Sequence, residues 1–357
     1  MHIENDQTAA DAERMDTIRM LRDSAIAFLG ADLGRVRRLR FQDTGFDRAT
    51  WREMCELGWL GVRISEAQGG LGFGMQEYVA LATELGAALV PEPLILVGLS
   101  ARCLPDDELS NVLSGERIVL PAWQEEASAL ADVPPRTKFD GRKLNGEKRF
   151  VVNARGADAY LVTTSAGLAL VDAGAQGISL TTEQTQDGGH VGTLRFDGAV
   201  ARAVPDAPFD EAVADATLAS AAYLFGLSER AFRLTIDYLK IRRQFGKPIG
   251  AFQALQHRAV DLYLELALTR ASVESAATTI DAKTSIAQKQ AAVSRAKARA
   301  SRCAALVCRE AIQMHGAIGY TDEADVGLFL RKAMTLINHF GSERAHRTRY
   351  VALMKVA

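Results

Sequence analysis

Two long helical patterns, separated by a short segment that contains glycine and proline, constrain this fold more than any other feature of the sequence. The first pattern runs from about Asp215 to Lys240 and the second from Ala254 to about Thr279, each with apolar residues at helical spacing. Gly246 and Pro248 lie between them, where a helix has to stop and restart. The sequence therefore predicts two helices joined by a sharp corner.

The corner is basic, because Arg242 and Arg243 stand at the end of the first helical pattern. A guanidinium group offers a planar fork of donors that suits phosphate, and the start of the second helix offers free backbone N–H groups. The alternative is that both arginines are solvated and complement the helix dipole. Spacing alone favours the solvated alternative and leaves an anion site open.

Composition narrows the classes of function. The chain has 357 residues, 48% of them hydrophobic and 24% charged, with a formal net charge of −2. Length suggests two or three domains, and the charge gives no reason to expect nucleic acid. No apolar run approaches eighteen residues and the N-terminus lacks a signal pattern, so we expect a cytoplasmic protein without membrane contact.

The cysteines do not follow a metal-binding spacing. Cys55, Cys103, Cys303 and Cys308 form no Cys-x-x-Cys or Cys/His pattern, and each lies in an apolar, helix-like setting. The sequence predicts buried free thiols and no metal site.

The predicted secondary structure changes type twice along the chain. Residues 1–117 read as helical, residues 118–208 as short β-type runs with turn residues between them, and residues 209–357 as helical again. Many short strands indicate a small β-barrel or sandwich, and long helical patterns with short connections indicate a helical bundle. We therefore predict an α+β chain of three domains with these boundaries.

Two strings resemble the flavin-dependent acyl-CoA dehydrogenases. The segment RRQFGKPIGAFQ (242–253) is similar to that family's Arg-x-x-Phe-Gly…Phe-Gln pattern, and QMHGAIGY (313–320) to its Gln-x-x-Gly-Gly-x-Gly-Tyr/Phe pattern. The resemblance is strong in the C-terminal half and weaker in the N-terminal half. It implies an N-terminal helical domain, a small middle β-barrel or sandwich and a C-terminal four-helix bundle.

The resemblance also implies FAD as cofactor and an acyl-CoA thioester as substrate. Arg242 would meet the pyrophosphate of an FAD belonging to a neighbouring subunit, and the second string would contact its adenine side. The FAD-binding residues implied in these strings are Arg242, Gln244, Phe245, Phe252, Gln253, Gln313, Gly316 and Ala317. Ala317 replaces the usual second glycine, and ordinary core packing stays an alternative for Phe245 and Phe252.

The β region departs from the family. Asn145–Ala154 resembles the strand beside the flavin ring, but Phe150 stands at the usual Trp position and Val152 at the usual Thr position. The implied flavin face is therefore more apolar. The segment that usually reads Thr-Glu-Pro-x-Ala-Gly-Ser matches Leu120–Ser128 here and has lost the pattern.

The catalytic base is the sharpest departure. Family members use a Glu near the C-terminus to remove the α-proton, and the matching residue here is Phe340, which cannot accept a proton. Some members place the Glu near the position of Ala216. Asp215 or Glu211 could then substitute, although an acid at a helix start more often stabilises the dipole. His339 is a further candidate base, or an ordinary surface or capping histidine.

Three hypotheses follow. The chain is a subunit of a heteromeric acyl-CoA dehydrogenase of lipid or steroid catabolism, in which a longer paralogue supplies the Glu in a tetramer. Alternatively, it is a self-sufficient homo-oligomer that uses Asp215, Glu211 or His339. A third alternative is a scaffold that has lost flavin. For an enzyme, the resemblance implies electron-transfer flavoprotein as acceptor, and oxidases of the same fold stay open.

Overall fold

The structure is a computed structural model that describes residues 2–30, 32–127, 130 and 133–355. Six helices come first along the chain: α1 (His2–Leu29), α2 (Gly34–Leu39), α3 (Arg48–Glu56), α4 (Met75–Ala87), α5 (Leu94–Ala101) and α6 (Asp106–Leu113). None of the helices within the described ranges combines the length and apolar character needed to cross a membrane.

Two four-stranded sheets follow these helices. Their strands are β1 (Val119–Ala122), β2 (Lys138–Phe139), β3 (Lys143–Val152), β4 (Ala159–Thr164), β5 (Gly167–Asp172), β6 (Ile178–Gln184), β7 (His190–Val200) and β8 (Arg202–Val204). One sheet has the order β1-β4-β5-β8, in which only β1 and β4 run parallel. The other has the antiparallel order β2-β3-β7-β6. This agrees with the predicted middle β region.

The C-terminal region is helical. Its elements are α7 (Phe209–Ile241), the two-residue strands β9 (Arg243–Gln244) and β10 (Lys247–Pro248), α8 (Gln253–Asp281), α9 (Ile286–His315), α10 (Val326–Leu336) and α11 (Glu343–Met354). Helix α9 begins with a capping box, in which Ser285 and Gln288 satisfy each other's free backbone N–H groups. The two helical patterns and the corner predicted between them are confirmed.

Helix α7 is the centre of the core, and glycines let it approach α4 closely. A Cβ on Gly226 would lie 1.9 Å from the carbonyl oxygen of Thr83, and one on Gly86 would lie 2.0 Å from the carbonyl oxygen of Tyr223. The two backbones therefore touch where neither helix has a side chain. This contact joins the N-terminal helices to the C-terminal bundle.

The predicted thiols are confirmed. Cys55, Cys103, Cys303 and Cys308 are all buried and free. In the described part of the chain, no three His, Cys, Asp or Glu side chains are grouped closely enough to hold a metal ion.

Candidate functional site

The corner between α7 and α8 is a miniature β-hairpin rather than a simple turn. Strands β9 and β10 pair antiparallel, with Gln244 opposite Lys247. Phe245 and Gly246 form the two-residue loop with φ of +52° and +80°, and such loops need positive φ at both positions. Glycine adopts this conformation without strain. Phe245 does not, and its side chain is 90% exposed.

Cationic and aromatic groups are concentrated at this corner. Arg242 follows the last residue of α7 and is exposed, and no described residue forms a side-chain hydrogen bond or ion pair with it. The Lys247 ammonium lies 4.3 Å from the centre of the Phe252 ring, and Phe245 meets the same ring edge-on. Gln244 and Gln253 are exposed on the same segment. The corner thus offers free donors for an anion beside two aromatic rings.

The structure brings the second predicted string to the same side of the bundle. Tyr238, one turn before Arg242, stacks on His315 with ring centroids 4.3 Å apart. Its hydroxyl donates to the carbonyl oxygen of His315 at 3.3 Å. Because α9 ends at His315, the exposed residues around this end lie near the corner; they are Gln313, Gly316 and Ala317. The two strings, 60 or more residues apart in the sequence, therefore form one exposed surface.

These residues fit a nucleotide diphosphate. Arg242 and Lys247 supply positive charge, and Gly316 has φ of +67° with no atom within 4 Å of a Cβ built on it. An open glycine of this kind lets a ligand approach the backbone closely. We call the surface formed by Arg242–Gln253 and Gln313–Ala317 the basic corner.

The predicted flavin-ring residues lie in the β region. Phe150 has φ of +59° and is part of a bulge, where the register between β3 and β7 shifts after Lys148. Its partly exposed ring carries the Arg149 guanidinium at 5.3 Å. Val152 lines a cavity of about 70 Å³ together with His339 and Phe340. In the described residues, no hydrogen bond or aromatic contact joins Phe150 or Val152 to the basic corner.

Phe340, which stands where the family resemblance implies a catalytic Glu, is buried against another aromatic ring. It is 2% exposed and stacks on Trp123 with an interplanar angle of 9° and ring centroids 6.3 Å apart. Trp123 lines a larger cavity of about 570 Å³, whereas Phe340 lines the small one. A third ring between the two would need about 7 Å, twice the contact distance of about 3.5 Å. The gap between these rings is therefore closed to a flavin or a thioester.

The candidate bases have other surroundings. Asp215 is buried, and its Oδ2 accepts hydrogen bonds from Arg102 at 2.6 Å and Arg63 at 3.0 Å. It lines a separate small cavity, away from Phe340. Glu211 is largely exposed, 3.6 Å from Arg102. Asp215 therefore joins α7 to the N-terminal helices, a role that neither sequence-based alternative included.

His339 does line the small cavity, but it is a weak base. Burial, followed by the positive charges of Lys297 and Lys332, lowers the pKa of His339 to about 3. Its ring stays neutral at pH 7, and a group with so low a pKa has little affinity for a proton taken from a thioester. His339 is accordingly poorly suited to replace the missing Glu.

Sequence reasoning missed one buried ion pair. Lys148 is completely buried, and its Nζ lies 2.6 Å from Glu125 Oε1 and 3.0 Å from Thr163 Oγ1. Burial acts to raise the pKa of Glu125, but hydrogen bonds from Lys148 and from the backbone of Thr137 and Arg136 outweigh it and lower this pKa to about 2. The pair joins the segment that follows β1 to β3, and the Gly-x-Lys spacing of residues 146–148 was its only signal in the sequence.

The shifted groups predict a pH dependence of stability. Burial lowers the pKa values of His339 and His346 from 6.5 to about 3, and that of Lys297 from 10.5 to about 7. At a pH between the folded-state and the unfolded-state pKa of one of these groups, the unfolded chain binds a proton that the folded chain does not. Stability is therefore expected to fall from about pH 6.5 toward pH 3, and to rise from about pH 7 toward pH 10. Melting temperatures at about pH 5, 7 and 9 test this, and a maximum at pH 5 would contradict it.

Family models match most of this chain. Residues 15–104 match the N-terminal domain of acyl-CoA dehydrogenases and residues 211–352 match the C-terminal domain. The chain is 31% identical to the acyl-CoA dehydrogenase IpdE2 of Mycobacterium tuberculosis over 333 residues, which cover 88% of this chain and 90% of that protein.

Solved structures show the same architecture. The Tcur3481–Tcur3483 steroid ACAD matches with a TM-score of 0.88 and 28% identity, over 96% of this chain and 99% of the matched chain. The ChsE4–ChsE5 complex of Mycobacterium tuberculosis matches with a TM-score of 0.83 and 25% identity, over 96% and 97%. A glutaryl-CoA dehydrogenase of Mycobacterium smegmatis solved in complex with FADH2 has the same fold, with a TM-score of 0.82 and 18% identity over 97% of this chain and 95% of the matched chain. This chain belongs to the acyl-CoA dehydrogenase family of flavin-dependent acyl-CoA oxidoreductases.

Proposed function

We propose that this chain is the base-less subunit of a heteromeric, FAD-dependent acyl-CoA dehydrogenase. A longer paralogue supplies the catalytic carboxylate, which removes the α-proton of the acyl thioester. FAD, when bound, supplies the acceptor for the β-hydride. The contribution of this chain is its basic corner, which holds the diphosphate and adenine side of the FAD in the partner's site.

The observation that carries this proposal is the closed gap between Trp123 and Phe340. The residue at the position of the family base is a buried phenylalanine, and no third ring fits between its ring and that of Trp123. A chain with phenylalanine at this position lacks the family's base there, and Glu92, a carboxylate that lines the same small cavity, is paired with Arg35. The exposed basic corner, by contrast, has the charge and donors expected of half a cofactor site.

The proposed roles follow the chemistry of each side chain in the basic corner. Arg242 donates to the diphosphate, and Gln244 donates to the same group or the ribose. Phe245 and Phe252 provide apolar faces, and Gln253 supplies a polar contact at the start of α8. Gln313, Gly316 and Ala317 accept the adenine side, where small residues permit close approach.

An apolar face on α8 supports assembly with another chain. Val260, Tyr263, Leu264 and Leu268 are each more than half exposed. They recur at spacings of three and four residues, which places them on one side of the helix. A contiguous exposed apolar stripe on a long helix favours burial against a further protomer. We propose a tetramer, in which this stripe is covered by the paralogue or by a second copy. We propose electron-transfer flavoprotein as the electron acceptor on the family resemblance alone.

A self-sufficient homo-oligomer has less support. Asp215 is held by two arginines, Glu211 is exposed on the first turn of α7, and the pKa of His339 is too low for an effective base. The alternative of a scaffold without flavin gains support from the same closed gap. However, a scaffold without flavin would leave the exposed cations of the basic corner without a ligand.

Expression with and without a partner tests the proposal. The chain alone is expected to be colourless and inactive. Co-expression with a longer paralogue that carries Glu at the position matching Phe340, or near that of Ala216, is expected to give a yellow complex that reduces a dye with acyl-CoA. A yellow, active chain without the partner would support the homo-oligomer. Absence of flavin from both preparations would support the scaffold.

A further inference from the structure

The loop that carries Phe340 is strained and has little freedom to move. Residues 337–341 lie in the connection between α10 and α11, and Phe340 has φ of +59°, a conformation that phenylalanine rarely adopts and that persists only where the surroundings hold it. The next residue, Gly341, has φ of +111°. A Cβ there would lie 2.5 Å from Leu130 Cδ2 and 3.0 Å from His346 Nε2. The backbone of the loop is therefore closely surrounded.

Three buried side chains from α9 and α11 bind the carbonyl groups of this loop. Lys297 Nζ donates to the carbonyl oxygen of Ile337 at 2.9 Å, and Ser301 Oγ donates to the same oxygen at 3.0 Å. His346 Nε2 lies 2.9 Å from the carbonyl oxygen of Phe340. A carbonyl can only accept, so Nε2 carries a proton and donates. Burial lowers the pKa of His346 to about 3, so the ring is neutral at pH 7. We call Lys297, Ser301 and His346 the loop anchor.

Lys297 is unusual because it is a lysine buried in the core between packed helices. It is 0% exposed, and within the described residues it forms no ion pair with a carboxylate. Its partners are the Ser301 hydroxyl at 2.9 Å and the Ile337 carbonyl. A buried amine without a carboxylate costs free energy that an apolar residue would not. Its hydrogen bonds are directed to the loop and to the hydroxyl that binds the same loop carbonyl.

We infer that the loop anchor positions Phe340, holding the 337–341 loop so that the ring of Phe340 stays stacked on Trp123. Lys297, Ser301 and His346 are positioning residues, because they act through the loop and line neither of the two cavities. Trp123 lines the larger cavity and Phe340 lines the small one, so holding the stack fixes part of the wall of both cavities. This inference goes beyond the proposed function, since it holds whichever partner the chain has.

Fluorine NMR of the full chain labelled with 5-fluorotryptophan tests the inference directly. The chain has three tryptophans. Trp123 reports the stack and is assigned with Trp123→Phe, whereas Trp51 and Trp59 lie in the N-terminal helical region and serve as internal references. His346→Leu removes the donor to Phe340 and is expected to shift and broaden only the Trp123 resonance. His346→Gln keeps an N–H donor and is expected to restore the wild-type position.

Two further variants keep the test decisive if His346→Leu fails to fold. Lys297→Met keeps the stem and removes the donor, and Ser301→Ala removes the hydroxyl; both are expected to shift the Trp123 resonance. Ser228→Ala, which removes an equally buried hydroxyl in α7, is the control and is expected to leave it unchanged. A Trp123 resonance at its wild-type position in both Lys297→Met and Ser301→Ala would overturn the inference, as would His346→Gln shifting as much as His346→Leu.

Discussion

Replacing Lys148 with methionine is expected to lower the free energy of unfolding by roughly 3–5 kcal/mol, the usual cost of breaking a buried ion pair from one side. Lys148 is completely buried and its Nζ lies 2.6 Å from Glu125. Methionine fills a similar volume but leaves the Glu125 carboxylate, whose side chain is only 12% exposed, with the solvent-exposed Arg136 at 3.3 Å as its remaining cation. Urea unfolding followed by far-UV circular dichroism measures the loss.

An exposed ion pair made by Glu147, the neighbour of Lys148 on β3, provides a matched control. Arg195 on β7 pairs with Glu147 on β3 at 2.7 Å, but the arginine side chain is 73% exposed. Arg195→Met is expected to cost less than about 1 kcal/mol, because solvent screens exposed pairs and each partner keeps its hydration. Lys148→Met and Arg195→Met giving equal losses would show that burial of the Lys148 pair contributes nothing.

A double variant separates the charge from the packing. Lys148→Met with Glu125→Gln removes both charges, and the amide oxygen of glutamine can still accept from the backbone N–H groups of Arg136 and Thr137. Part of the stability lost in Lys148→Met is therefore expected to return, since the two residues share one interaction. If the double variant is as unstable as the sum of the single variants, the loss comes from packing around β1 and β3.

Replacing Arg242 with alanine is expected to weaken FAD binding by the complex with the paralogue roughly 10- to 150-fold, the equivalent of about 1.5–3 kcal/mol for a charge-assisted hydrogen bond. Arg242 is exposed, and its guanidinium has no partner among the described residues. Its removal should therefore leave the fold intact and act on the ligand alone. Flavin content after gel filtration and titration of the apo-complex with FAD measure the effect.

Arg243→Ala is the control for Arg242→Ala. The two arginines are adjacent and equally cationic, but Arg243 Nη2 already donates within the hairpin, to the carbonyl oxygen of Gly246 at 3.3 Å. A specific contact predicts a large loss for Arg242→Ala and a small loss for Arg243→Ala. Equal losses would indicate only a general attraction between the corner and an anion. Unchanged flavin in Arg242→Ala would refute its role at the diphosphate.

The local sequence pattern predicted those helices and strands whose formation depends on residues close to each other in the sequence. Glycine and proline interrupted the helical periodicity between α7 and α8, and the structure places a hairpin there. The short apolar runs predicted several strands of the middle region. By contrast, β6 (Ile178–Gln184) is largely exposed and rich in polar residues, and sequence analysis did not identify it. It is a strand because β7 pairs with it along its length, and no periodicity of its own signals that pairing.

The candidate site, too, has features that the sequence predicted and features that only the structure revealed. The two family strings identified the basic corner, and the absence of a carboxylate at Phe340 was visible in the sequence alone. Sequence reasoning could not foresee that Asp215 is held by Arg63 and Arg102, which lie 152 and 113 residues away. It also treated Glu125 as part of a lost pattern, although Glu125 pairs with buried Lys148.

By itself the sequence determined the family, the order of helical and β regions, and the phenylalanine at the position of the family's Glu, because these depend on residue types and their spacing. Only the tertiary structure decided that Phe340 closes on Trp123, that Lys297 and His346 hold its loop, and that Arg242 is left unpaired among the described residues. The physical reason is that burial and partners determine what a charged or aromatic side chain does. Both are set by segments that meet only when the chain is folded.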